Sequence, residues 1–230
     1  MASGVTIRWY EPGTKMPWHA DGHDHASFLI QGSLLEESPT GSFLAMIGAA
    51  VSKPATAVHC TTIGPHGATV ASFPLSETAK PDYLWQAMDP SASLIAAVPR
   101  LLDGASPTVQ WAQPVGIKPH RLLHIAEKNL RKDPRHSLCS LALSVGVDPT
   151  YLSALFRRHT GTTFVQRRTY YRLAVSTNAM STGATLGQAA QAGHFADQAH
   201  FTRAFQRQFG VSPKEYQLAV HRIFTNLFKP

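Results

Sequence analysis

Five of the chain's twelve histidines, His19, His23, His25, His59 and His66, fall between positions 19 and 66. An imidazole changes charge near neutral pH and is the commonest protein metal ligand, so this is where proton or metal chemistry is to be sought. A second group of versatile side chains lies in the other half. Thr150, Ser153, Ala154 and Arg157 recur at helical spacing, and so do Gln198, Thr202, Arg203 and Gln206. Cysteine offers little. Cys60 and Cys139 cannot build a disulfide framework or a four-cysteine zinc site. Cys60 alternates with His59 along an expected strand and should point the other way. Cys139, in Ser-Leu-Cys-Ser-Leu, reads as a small helical filler.

The chain that must position these residues has 230 residues and 43% apolar content, enough for ordinary cores and against a disordered or fibrous protein. No apolar run approaches the ~20 residues of a membrane span. The first ten residues lack the basic start and apolar run of a secretory signal, so a cytoplasmic protein is expected. Residues 1–117 hold 5 basic and 9 acidic side chains, a net of −4; residues 118–230 hold 16 and 5, a net of +11. Such a split points to two domains with different partners, and a strongly basic half favours a polyanion, most simply nucleic acid.

Residues 5–75 read as short strands broken by Gly and Pro: Val5–Tyr10, Ser27–Ile30, Phe43–Ile47, Ala57–Thr62 and Thr69–Leu75. That spacing predicts an all-β sandwich or barrel. Tyr83–Met88 and Ser93–Leu102 read as short helices. The second carries an apolar stripe (Leu94, Ile95, Val98, Leu101, Leu102) suited either to a dimer contact or to packing on its own barrel. Residues 104–118 read as a linker between an N-terminal domain over 1–103 and an all-α domain over 119–230, where only Pro134, Pro149 and Pro213 interrupt the helical period.

The helical half repeats itself. Shifted by 49 positions, Asp148, Leu152, Phe156, Arg158 and Gly161 fall on Asp197, Phe201, Phe205, Arg207 and Gly210. Each copy reads as a short helix, a tight turn and a second helix, capped by Asp at its start and Gly at its end. The second helices turn Leu152, Leu155 and Phe156, or Phe201, Ala204 and Phe205, to one face and the polar set to the other. This is the helix-turn-helix arrangement, whose second helix enters the major groove. Between the copies a longer helix over Phe164–Met180 would hold the two units ~34 Å apart, on successive major-groove faces.

With Leu141-Ala142, Tyr151-Leu152, Phe156, Gly161, Phe164 and Arg172-Leu173, followed by Phe-Ala-Asp-Gln-Ala-His-Phe at 195–201 and Ser-Pro-Lys-Glu-Tyr at 212–216, residues 120–220 resemble the DNA-binding domain of the AraC/XylS transcription regulators. Three positions depart from that pattern: Ala154 stands where a polar reader is usual, His194 in a Gly slot that calls for positive φ, and Gln217 in place of a common Arg. The resemblance implies base contacts from Thr150, Ser153 and Arg157 in the first unit, and from Gln198, Thr202, Arg203 and Gln206 in the second. Phosphate contacts would come from Arg158, Arg167, Arg168, Arg207 and Lys214. His200 is expected in a hydrogen-bonding or phosphate role.

The histidine-rich half carries a second resemblance. Gly13-x5-His19-x-Asp21-x3-His25-x6-Gly32, then Gly48-x5-Pro54-x-Thr56-x2-His59, is similar to the two motifs of the cupin superfamily, with Asp21 and His25 at the second His and the Glu positions. The resemblance implies a cupin-like barrel (jelly roll) acting as an effector and dimerisation module. His19, Asp21, His25 and His59 are then the expected ligands of one divalent transition metal, Fe, Mn, Ni or Zn. Without metal the same residues would line a ligand pocket. Trp18, Phe28, Ile30, Met46 and Phe73 could line a small-molecule pocket or form the barrel core. His23 and Asp24 read as loop residues, and His66, after Gly-Pro, as a turn residue.

The leading reading is a sequence-specific DNA-binding transcription regulator, not an enzyme, responsive to an effector or metal in the barrel. Its expected partners are a double-stranded operator, a small-molecule effector, RNA polymerase and a second copy of itself. The alternative is a cupin-type metal-dependent oxygenase or isomerase fused to a DNA-binding domain. A third is an architectural protein that reads the DNA backbone only.

Overall fold

A computed structural model of the chain describes residues 4–39, 41–75, 86–88, 98 and 121–227. The described strands are β1 (Thr6–Tyr10), β2 (Lys15–His19), β3 (His25–Ser38), β4 (Gly41–Met46), β5 (Ala50–Lys53), β6 (His59–Pro74) and β7 (Gln86–Met88). All pairings are antiparallel, in the order β1-β6-β3-β5-β7, with β2 also on β6 and β4 also on β3. Seven helices follow among the described residues: α1 (Arg121–Lys132), α2 (Leu138–Val145), α3 (Pro149–Thr160), α4 (Phe164–Ser181), α5 (Leu186–Ala192), α6 (Gln198–Phe209) and α7 (Pro213–Leu227). An antiparallel sheet domain followed by a helical domain is the architecture the chain was expected to have.

The spine of the sheet is the pair β3–β6. Two of the expected strands, Ala57–Thr62 and Thr69–Leu75, are one continuous strand, and His66 sits at its bend rather than in a turn between strands. The register shifts between Leu29 and Gln31 and again between Gly32 and Leu34. At this bend the two backbones meet. Gly32 (φ +84°) has no room for a Cβ, which would stand 2.0 Å from the Gly67 carbonyl oxygen; a Cβ on Gly67 (φ +73°) would stand 2.2 Å from the Trp9 ring. Glycine alone tolerates both the conformation and the approach. The bend lets one half of β3 pair with β5 and the other with β4, and the sheet wraps a cavity lined from β1, β2, β3, β5 and β6. Gln86–Met88 pairs with β5 as a strand, correcting the helix expected over Tyr83–Met88. The expected helix over Ser93–Leu102 and the linker over 104–118 fall outside the described residues, save Val98, which is buried.

The helical domain follows its local signals closely. Asp148 accepts from the Thr150 and Tyr151 amides, with Pro149 at the first helical position; Asp197 accepts from the His200 amide. Gly161 and Gly210 close α3 and α6 in the left-handed region. Thr163 with Gln166 and Thr185 with Gln188 form capping boxes at α4 and α5. Gln217 donates to the Met180 and Ala184 carbonyls and so ties α7 to the end of α4.

The two domains share a core. Ala26, Phe28, Ile30, Met46, Ile47 and Phe73 of the sheet lie in one buried apolar cluster with Leu152, Phe156, Leu173, Phe205 and Ile223 of the helices. The Tyr170 hydroxyl on α4 donates to the Ile47 carbonyl, and the Tyr216 hydroxyl on α7 to the Ile30 carbonyl. Trp9 of β1 meets Phe224 of α7 edge to face.

Candidate DNA-reading helices and a histidine cluster

Two helix pairs present the polar faces expected of them. In α2–α3, Thr150 and Arg157 are exposed, Ser153 is half-buried, and Leu152, Leu155 and Phe156 are buried behind them. In α5–α6, Gln198, Arg203 and Gln206 are exposed and Thr202 is half-buried, over buried Phe201, Ala204 and Phe205. The second unit is braced by an aromatic chain. Phe195, Phe201, Phe205, Phe209 and Tyr216 contact one another through ring pairs 4.7–5.7 Å apart. The turn between α5 and α6 passes through His194 at φ 59°, the one non-glycine residue of positive φ among those described. Arg172 of α4 holds that turn: its guanidinium donates to the Gly193 and His194 carbonyls and lies over the Phe195 ring. Burial pulls the Arg172 pKa below its ordinary value, with the Arg168 charge adding to the effect. Sequence reasoning placed Arg172 on this helix without giving it a task. The His200 ring rests edge-on against Phe195, on the exposed side.

The phosphate set divides. Arg158, Arg207 and Lys214 are exposed. Arg167 is instead turned inward: its Nε donates to Glu127 Oε1 at 2.6 Å, its side chain is 12% exposed, and it stacks near Tyr170 and Tyr171. Arg168 lies over the Phe164 ring and reaches the His136 carbonyl. Both brace α4 through these contacts, a task not read from the sequence. Cys139 is exposed on α2 and fills no core space.

At the mouth of the sheet domain, His19, Asp21 and His59 bring one ligand atom each within 4.8 Å of one another. His19 on β2 and His59 on β6 are register partners. Asp21 lies in the loop after β2 rather than on the strand. His25, at the start of β3, joins through Asp21, its Nε2 3.6 Å from Asp21 Oδ2. Each of the three rings points Nδ1 at a carbonyl two residues back: Pro17 at 2.7 Å, His23 at 3.3 Å and Ala57 at 2.9 Å. A carbonyl only accepts, so Nδ1 carries a proton, and in the neutral ring Nε2 turns its lone pair inward. Burial lowers the His25 pKa, which keeps that ring neutral. The lone pairs meet Asp21, whose Oδ2 is buried with no hydrogen-bond donor. Acceptors facing acceptors call for a cation, and an N, N, O set with fixed tautomers suits a divalent transition metal.

Two members of this cluster were not foreseen. Glu36 is buried beside His59, and Lys53 reaches both. Counting by twos from His25 puts Glu36 on the wrong face; the register shifts in β3 reverse the phase. The available signal was slight, a carboxylate directly after Leu34-Leu35 and before a second one, Glu37. Behind the cluster the cavity, of about 190 Å³, is lined by Met16, Phe28, Leu29, Leu34, Ile63 and Val70, with Arg8 and Tyr10 at one side. Of the expected pocket residues only Phe28 lines it. Trp18 is 55% exposed, while Ile30, Met46 and Phe73 pack toward the helices. Ile30, Met46 and Phe73 thus take the core alternative, because the shared core claims one face of the sheet, and Trp18 takes neither place. Cys60 points away from the cavity as expected and meets Glu37; burial and that carboxylate raise its pKa.

Comparison with known proteins agrees in the helical half. The family described as a helix-turn-helix domain matches residues 141–219. No curated protein matches the chain. Among solved structures, ToxT from Vibrio cholerae is 10% identical over 94% of this chain and 98% of its own, with a TM-score of 0.45. The C-terminal domain of AraT, a response regulator from Geobacillus stearothermophilus, is 25% identical over 44% of this chain and 87% of its own, with a TM-score of 0.41. An AraC-type transcriptional regulator from Chromobacterium violaceum is 22% identical over 44% and 92%, with a TM-score of 0.42. Among the described residues no single helix is long and apolar enough to cross a membrane.

Proposed function

Since residues 141–219 of this chain match the helix-turn-helix domain family, we propose that the protein is a cytoplasmic, sequence-specific DNA-binding transcription regulator of the AraC type whose sheet domain receives a ligand. The observation that carries this reading is the duplicated unit in a half of net charge +11, each copy with an exposed polar face over a buried apolar one. Phosphate contacts from Arg158, Arg207 and Lys214 supply sequence-independent affinity. Arg203, Gln206 and Gln198 in the second unit, with Thr202 beside them, and Thr150, Ser153 and Arg157 in the first, read base edges. Partners follow from this role: an operator duplex, RNA polymerase and a second copy of the chain.

The test is selection of duplexes from a random pool, followed by competition gel shifts. The expected outcome is an enriched site with two elements about one helical turn apart. A specificity ratio near one in competition would overturn base readout and leave a backbone binder.

The ligand of the sheet domain is a divalent transition metal, a small-molecule effector, or both. His19, Asp21 and His59 would hold the metal, with His25 as the fourth group. The orphaned Asp21 oxygen and the inward lone pairs support this reading. When bound, the metal supplies a Lewis-acidic centre at the mouth of the cavity. The carbonyls of Pro17, His23 and Ala57 orient the rings. Metal content after purification without chelator tests the reading: near one equivalent is expected, lost in His59→Ala, and no uptake on loading overturns it.

A further inference from the structure

Lys53 stands inside the histidine cluster, and no motif accounts for it. Its Cα is the register partner of His25 across β5–β3, so the side chain leaves the sheet beside the ligand-like rings. Its Nζ lies 2.6 Å from Glu36 Oε1 and donates to His59 Nε2 at 3.2 Å. The pair is buried, with side chains 12% and 3% exposed. Charge of this kind is retained in an interior only when paired.

The arrangement distributes cation unevenly. The ammonium is ion-paired with Glu36 Oε1 at 2.6 Å, without a hydrogen bond to that buried oxygen, and it donates to the His59 lone pair. It leaves Asp21 Oδ2, 3.5 Å from the same His59 Nε2, without a donor. His59 has one free lone pair, because its other nitrogen is committed to the Ala57 carbonyl. That lone pair can serve an ammonium or a metal ion, not both. We propose that Lys53 is a built-in competitor for the metal: a divalent ion taken up by His19, Asp21 and His59 displaces the Lys53 ammonium from His59, and the Glu36–Lys53 pair thereby sets the affinity of the site. The displaced ammonium keeps its partner in Glu36, so no charge is stranded. Competition of this kind makes the site weak for its donor set, suited to reporting metal abundance rather than holding metal permanently. The inference rests on the metal reading above.

The experiment is direct titration of the full chain with Ni²⁺ by calorimetry, with Co²⁺ absorption as a spectroscopic check on imidazole coordination. Wild type is compared with Lys53→Met, with Lys53→Met/Glu36→Gln, which avoids an unpaired buried carboxylate, and with Arg8→Met, which removes a charge that lines the same cavity without touching His59. The expected result is about tenfold or more tighter binding in both Lys53 variants, abolished by adding His59→Ala, and a change of under about threefold in Arg8→Met. Uptake by the Lys53 variants alone supports the proposal equally. Equal or weaker affinity in both Lys53 variants, with wild type binding metal, overturns the competition and leaves the metal site standing. So does a gain in Arg8→Met as large as theirs, which would make the effect one of overall charge. Absence of uptake in every variant overturns the metal reading itself, and this proposal with it.

Discussion

The Tyr216 hydroxyl of α7 donates to the Ile30 carbonyl of β3 at 2.7 Å, joining residues 186 positions apart across the two domains. Both groups are buried, and Ile30 sits within the bend that gives the sheet its cavity. Removing the hydroxyl strands a buried carbonyl. Tyr216→Phe is expected to cost about 1–3 kcal/mol of unfolding free energy by urea denaturation. Tyr170→Phe, which strands the Ile47 carbonyl, belongs to the same range. A single unfolding transition is expected in each variant, because the apolar cluster runs through both domains.

Alkaline pH probes the same contact. Burial pushes the Tyr216 pKa far above its ordinary value of 10. The folded chain keeps the phenol neutral where the unfolded chain has begun to ionise. This contribution to stability is therefore complete below the unfolded pKa and declines as pH rises past about 10. Wild type should lose stability faster than Tyr216→Phe over that range, as followed by circular dichroism in denaturant series at successive pH values.

Base readers and phosphate contacts separate by mutation. Arg203→Ala is expected to lower discrimination between the selected site and its point variants by about 1–3 kcal/mol. Arg158→Ala should weaken binding to all duplexes alike and reduce the salt slope by about 1. Gel shifts at several salt concentrations measure both, and no base-specific loss in Arg203→Ala would remove that residue from the reading set.

Arg167 makes the opposite prediction to its exposed neighbours. Its ion pair with Glu127 and its place near two tyrosines tie α4 to α1. Arg167→Ala should destabilise the fold by about 1–3 kcal/mol and leave the salt slope of DNA binding unchanged. A slope reduced without loss of stability would return Arg167 to the phosphate group.

Much of the helical half was legible because its signals are local. A cap needs one side chain and the amides two or three residues on, as at Asp148 and Asp197, and the copies 49 residues apart reinforce each other. The sheet half was less legible because its decisive contacts are distant. Alternation by twos holds until a bulge, and β3 has two register shifts, which is why Glu36 was missed. Apolar residues on a strand do not declare what covers them. Ile30, Met46 and Phe73 suited a pocket as well as the barrel core, and the core they join extends into the helices. His19, Asp21 and His25 could be picked out because three ligand-type side chains fall within seven residues, and His59 because it ends a second motif-like stretch. Lys53 could not, since its relation to His25 is a register pairing.

The two-faced strand β3 bears on how such a chain can evolve. Leu29 turns toward the cavity while its neighbour Ile30 supplies both side chain and carbonyl to the helices. The sheet and helical halves are therefore not interchangeable cassettes. A foreign helical domain grafted after residue 118 would inherit a sheet face cut for α4 and α7, and a foreign sheet would leave Tyr170 and Tyr216 without acceptors. Cavity residues can change one at a time without touching this seam; new pairings of whole halves require the seam to be rebuilt first.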